Sequence, residues 1–118
     1  MCVSPEYDAI RNNANDIEIA LTNNCGLVIE ELNTAGLLQY DTYDLVKNPS
    51  SNLTPRVKAG CVLTSVRDKV SLHPRHYHTF MSILRKNELY FKDIIEELEK
   101  TCSSELIVKI MHYTFSIS

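Results

Sequence analysis

Apolar residues recur at intervals of three or four along nearly the whole of this 118-residue chain. In the first segment, Ile10, Ala14, Ile17 and Leu21 follow this spacing. Such a repeat places apolar side chains on one face of an α-helix, whereas a half-buried strand needs strict alternation. The sequence has only 3 Gly and 4 Pro, too few for a turn-rich β-barrel. The pattern therefore predicts an all-α domain with one hydrophobic core.

Prolines and capping residues divide the pattern into six helices. Ser4 and Thr54 each precede a proline, an arrangement typical of a capped helix start. Asn23 or Asn24 can begin a second helix, and Gly36 can end it in the left-handed conformation. The predicted helices cover residues 5–21, 24–35, 40–47, 55–70, 74–84 and 89–102. Residues 12–15 have weak helix propensity, so we expect a bend there.

Short connections predict that neighbouring helices pack antiparallel, which gives a six-helix bundle over residues 1–102. Residues 103–118 are an extension with several interpretations. Ser103 can cap a seventh helix through Met111, while the residues from Thr114 alternate like a strand. The segment could also begin a linker to a further domain.

The net charge of −3 conceals an asymmetry along the chain. Residues 1–53 carry 2 basic and 8 acidic side chains, residues 54–92 carry 8 basic and 2 acidic ones, and residues 93–118 carry 2 basic and 5 acidic ones. A chain with an acidic third and a basic third can attract an oppositely charged partner or a second copy of itself.

No motif in the sequence predicts catalysis or a bound cofactor. The 4 cysteines are too far apart for a zinc knuckle, and His73, His76 and His78 lack the spacing of a metal-binding pair. Cys61 could pair with a histidine as a nucleophile, but its neighbours place it near the core. We expect no enzymatic activity, metal, cofactor or small-molecule substrate. No apolar run approaches a membrane span and no secretory signal is apparent, so we expect a cytoplasmic location.

Three stretches, in this order and spacing, resemble the caspase recruitment domain of the death-fold superfamily. They are residues 28–38, residues 43–49 with 56–63, and residues 77–84 with 92–98. They correspond to the end of helix 2, helices 3 and 4 with their polar loop, and the aromatic helix 5 with the acidic helix 6.

This resemblance implies a Greek-key six-helix bundle without enzymatic activity. Family members recruit or assemble signalling partners in apoptosis or innate immunity by binding another recruitment domain, in a caspase, an adaptor or a second copy. They do so through oppositely charged helix faces. Here the resemblance implies an acidic surface of Glu30, Glu31, Asp41 and Asp44 and a basic surface of Arg11, Arg56, Lys58, Arg67 and Lys69.

One departure from the family concerns the first helix. That helix is basic in initiator caspases, whereas residues 12–16 here are Asn-Asn-Ala-Asn-Asp and only Arg11, about a turn earlier, is positive. Gly60 also stands where some family members carry a second arginine of helix 4. The acidic surface is therefore the one expected to meet a basic partner. The alternative function is nucleic-acid binding through the basic third of the chain, namely Arg56, Lys58, Arg67, Lys69, Arg75 and Lys86.

Overall fold

The computed structural model describes the backbone of residues 4–117 and the side chains of residues 4–50 and 52–102. Within this part the chain forms six α-helices and one 3₁₀ turn, and it contains no strand, which confirms the all-α prediction. The helices are α1 (Pro5–Asn12), α2 (Ala14–Thr34), α3 (Tyr40–Lys47), α4 (Pro55–Leu72), α5 (Arg75–Lys86) and α6 (Glu88–Ile117). The 3₁₀ turn, Pro49–Ser51, lies in the polar loop before α4.

The predicted helix signals act as expected at three ends. The Ser4 hydroxyl accepts a hydrogen bond from the backbone N–H of Tyr7 (3.1 Å), and a proline begins α1. Thr54 caps α4 in the same way. Gly36 adopts φ +79° beyond the end of α2, which turns the chain so that Leu37 is buried. These contacts satisfy backbone groups that helix ends otherwise leave unpaired.

The predicted bend in the first helix is confirmed as a break at Asn13, where the backbone has φ −108° and ψ 17°. The buried Asn13 amide donates to the Ala9 carbonyl (2.9 Å) and to the Thr101 hydroxyl (3.0 Å), so the break is linked to α6. The predicted division at residues 23 and 24 is confirmed as a kink at Asn24, where φ −135° and ψ 19° are not helical and two helical stretches join within α2. The Asn24 side chain donates back to the Ala20 carbonyl at 3.1 Å.

The core lies mainly between α2 and α4 and between α1 and α6, with α5 closing it. The apolar side chains that follow the three-and-four repeat in α4, α5 and the first part of α6 are buried, among them Val66, Phe80 and Leu98. Ala35, which caps the C-terminus of α2, is exposed. The largest fully buried side chains are Phe80, Phe91, Ile10, Ile17, Leu21, Leu32, Leu37, Met81, Leu84 and Leu98.

The backbone of α6 continues to Ile117, so the interpretations of a separate helix capped at Ser103 and of a strand from Thr114 are wrong. The side chains beyond Cys102 lie outside the described part, and the domain boundary at residue 102 stays a prediction. In the described part, none of the helices combines the length and the apolar content that a bilayer crossing requires.

Candidate protein-interaction surface

The acidic surface spans the second half of α2 and the whole of α3. Glu30, Asp41 and Asp44 are exposed and Glu31 is half-buried. Tyr43 lies on α3 between the two aspartates, and its partly buried ring packs against the core. The packing of α3 on α4 sets where these carboxylates lie relative to the basic residues.

Glu30 is already bound within the fold. Its carboxylate pairs with the Lys47 ammonium at 2.5 Å and accepts a hydrogen bond from the Tyr43 hydroxyl at 2.8 Å. The hydrogen bond with Lys47, followed by that from Tyr43, lowers the pKa of Glu30 below its ordinary value. The same contact with Glu30 raises the pKa of Lys47 and of Tyr43. Glu30 therefore links α2 to α3.

Glu31 has a similar internal partner, because its carboxylate pairs with Lys86 of α5 at 3.2 Å. Asp41 and Asp44 differ from both glutamates. Among the described side chains they form no ion pair. Of the four residues of the acidic surface, only the two aspartates of α3 therefore have no ion pair in the described part of the chain.

The basic surface divides in the same manner. Arg11 pairs with Asp8 within α1, and Arg56 pairs with Glu18 of α2, each at 3.3 Å. Lys58, Arg67 and Lys69 of α4 have no ion pair within the part of the chain that the structure describes. Exposed pairs such as that of Arg56 contribute only about 0–1 kcal/mol, so a partner could displace them.

The structure brings one acidic and one basic candidate together in a single groove. Asp41 and Arg67 both line a cavity of about 530 Å³ that α2, α3 and α4 form together. Two exposed apolar side chains, Leu45 and Val57, belong to the same lining. Charges of both signs and exposed apolar area therefore lie within one region of the surface.

Ser65 is the residue of this region that the sequence reasoning missed. It is 2% exposed, donates to the Leu37 carbonyl at 3.2 Å and accepts from the Gln39 N–H at 2.9 Å. Gln39 precedes the first residue of α3, so Ser65 holds the start of α3 against α4. The sequence could have indicated this contact, because Ser65 directly precedes the apolar Val66 in the part of α4 that the repeat places in the core.

The histidines and cysteines form no metal cluster in the described residues. The rings of His73 and His76 are 5.8 Å apart, edge to face, and burial together with nearby cations lowers the pKa of His76. Cys61 is partly buried on α4. Burial raises the thiol pKa of Cys25 and of Cys102, which is opposite to the shift that activates a nucleophilic cysteine.

Comparison of the chain with known protein families, curated proteins and solved structures finds no match.

Proposed function

We propose that this chain is a non-enzymatic interaction module of the caspase recruitment type. It associates with another domain of the same helical type, including a second copy of itself. The observation that carries the proposal is that charges of opposite sign lie on adjacent helices and form no ion pair among the described side chains. Asp41 and Asp44 on α3 are the acidic contacts, and Lys58, Arg67 and Lys69 on α4 are the basic ones.

The energetic argument depends on which charges already have partners. A carboxylate without an internal ion pair gains a new interaction when a cation approaches, whereas Glu30 and Glu31 must first exchange the lysines that they hold. Each exposed pair contributes about 0.2–1 kcal/mol, so several pairs are needed for a stable contact. Such pairs also accelerate association and make it dependent on salt.

Glu30 and Glu31 then have a positioning role in this proposal. Through Lys47, Glu30 connects α2 with α3 and contributes to the direction in which α3 presents its aspartates. Through Lys86, Glu31 connects α2 with α5. A signalling partner of this kind in apoptosis or innate immunity would offer a basic helix face to α3.

Two charge-reversed variants test the proposal together. Asp41→Lys/Asp44→Lys removes the acidic contact, and Lys58→Glu/Lys69→Glu removes the basic one. We expect each variant to be monomeric alone in sedimentation velocity at low ionic strength. Mixed together, they should associate again, because the acidic α3 of one variant meets the basic α4 of the other, and the two reversed surfaces also carry opposite charges.

A matched control is Glu88→Lys/Glu96→Lys, which makes the same charge change at two exposed carboxylates of α6 that form no ion pair among the described side chains. This control should associate as the unmodified chain does. Two variants that stay monomeric when mixed, beside an unmodified chain that associates, would contradict the pairing of α3 with α4.

The alternative proposal is nucleic-acid binding, and one observation favours it. Lys69, His73, Arg75 and His76 lie close together around the turn between α4 and α5, where their mutual repulsion contributes to the lowered pKa of His76. A gel-shift titration with a generic duplex tests it. Micromolar binding that weakens as salt is added supports nucleic-acid binding, and no shift at low salt contradicts it.

A further inference from the structure

A groove between the first half of α2 and the first turns of α6 leaves large apolar side chains in contact with solvent. Its volume is about 510 Å³. Ile19 of α2 is 50% exposed, and Leu89 and Tyr90 of α6 are 87% and 53% exposed. An exposed apolar cluster on one concave surface is typical of a site that another molecule covers.

Charges surround this apolar lining, and they are mainly negative. Asp16 lies on the α2 side, and Asp93 and Glu97 lie on the α6 side, whereas Lys92 is the one basic residue of the lining. Within the described residues, none of the three carboxylates forms an ion pair. The groove therefore combines exposed apolar area with carboxylates that form no ion pair in the described part of the chain.

The spacing of these residues follows the helical repeat on both walls. Asp16, Ile19 and Ala20 are three and four positions apart on α2, and Asp93 and Glu97 are four apart on α6. Residues with this separation lie one above another on a helix, one turn or about 5.4 Å apart. A partner helix with its own three-and-four repeat presents apolar and charged groups at the same intervals.

We propose that the α2–α6 groove, lined by these residues, binds a basic amphipathic helix of a partner protein. The apolar side chains of that helix cover Ile19, Leu89 and Tyr90, and its Lys or Arg side chains pair with Asp16, Asp93 and Glu97. The negative rim repels polyanions such as nucleic acid, which separates this site from the basic cluster after α4. The groove shares no residue with the acidic or basic surface, so the proposal stands independently of homotypic association.

The test uses a labelled synthetic peptide of Leu, Lys and Ala, with Leu at a three-and-four repeat and Lys beside the Leu stripe. Its counterpart has Glu at every Lys position. Fluorescence anisotropy with the full chain should show binding of the Lys peptide and none of the Glu peptide. Amide shifts in NMR spectra should concentrate at residues 16–20 and 89–97.

Two surface variants should weaken binding of the Lys peptide. Asp93→Lys/Glu97→Lys turns two attractions into repulsions, which should raise the dissociation constant about tenfold or more. Leu89→Ser should also weaken binding, because it removes apolar contact area. Circular dichroism should show unchanged helicity for both, since these side chains are exposed.

Matched controls distinguish binding at this groove from non-specific binding of the peptide. Glu88→Lys/Glu96→Lys makes the same charge change at two exposed carboxylates of α6 that do not line the groove, and Leu72→Ser removes a leucine that is 70% exposed at the end of α4. Both should bind the Lys peptide as the unmodified chain does. Three results would overturn the proposal. Either control could weaken binding as much as the groove variants do, or the Glu peptide could bind as tightly as the Lys peptide. The third is that the chain alone forms a dimer that Leu89→Ser dissociates.

Discussion

Replacing Ser65 by alanine tests how α3 is held in place. The Ser65 hydroxyl donates to the Leu37 carbonyl and accepts from the Gln39 N–H, so it joins α4 to both ends of the turn before α3. The Gln39 side chain does not cap α3, so the hydrogen bond from the Gln39 N–H to Ser65 helps to fix the start of this helix. We expect Ser65→Ala to destabilise the fold and to loosen the position of Asp41.

The magnitude follows from the groups that lose a partner. Leaving a buried polar group unsatisfied costs about 1–3 kcal/mol. The carbonyl belongs to Leu37, whose side chain is fully buried, whereas Gln39 is exposed and its N–H can find water. The higher helix propensity of alanine offsets this cost by about 0.5 kcal/mol. The net loss in free energy of unfolding should be about 1.5 kcal/mol, which corresponds to a fall of about 1 M in the urea midpoint.

Urea unfolding followed by circular dichroism measures this loss, and Thr64→Ala is the matched control. Thr64 is the exposed neighbour of Ser65 in α4, and its hydroxyl donates only to the Gly60 carbonyl of its own helix. The control should stay within about 0.5 kcal/mol of the unmodified chain. If Ser65→Ala is no less stable than the control, the contact does not hold α3 as described here.

Three further changes give distinct outcomes in the same assay. Thr54→Ala removes the cap on the Val57 N–H and should cost about 1 kcal/mol, whereas Thr54→Ser should retain most of it. Phe80→Ala empties a fully buried site and should cost about 3–5 kcal/mol, while Leu72→Ala at an exposed site should cost less than about 0.5 kcal/mol. The pKa of His76 in the folded state lies below its unfolded value, so the unfolded chain binds more protons at this residue. The free energy of unfolding should therefore fall as the pH drops below about 6.5. This fall should be less steep in His76→Gln. Unchanged stability of Thr54→Ala or Phe80→Ala would contradict the role of that cap or core residue. Equal dependence of stability on pH in His76→Gln and the unmodified chain would contradict the lowered pKa of His76.

Helix existence was predictable because the local signals agree with the apolar repeat. Thr54 before a proline fixes the start of α4, and Gly36 fixes the turn after α2. The weak propensity of residues 12–15 predicts the break at Asn13. The kink at Asn24 agrees with the predicted division, although the asparagine side chain donates back to the preceding turn, which is the alternative to capping a helix.

The pairing of charges could not be read from the sequence. Glu30 and Asp44 have similar local surroundings, yet only Glu30 meets a lysine, because α3 packs so that Lys47 approaches α2. The contact of Ser65 with Gln39 spans 26 residues and depends on the same packing. Tertiary geometry therefore decides which members of the predicted acidic surface are available to a partner.

Light scattering of the unmodified chain across protein concentration, at low and at high salt, tests the central proposal most directly. Association through Asp41, Asp44 and the cations of α4 predicts an average mass that rises with concentration at low salt. The same association predicts that the average mass falls to that of one protomer at high salt, because salt screens the exposed charges. A mass of one protomer under every condition, or a complex that salt does not dissociate, would contradict association through these charges.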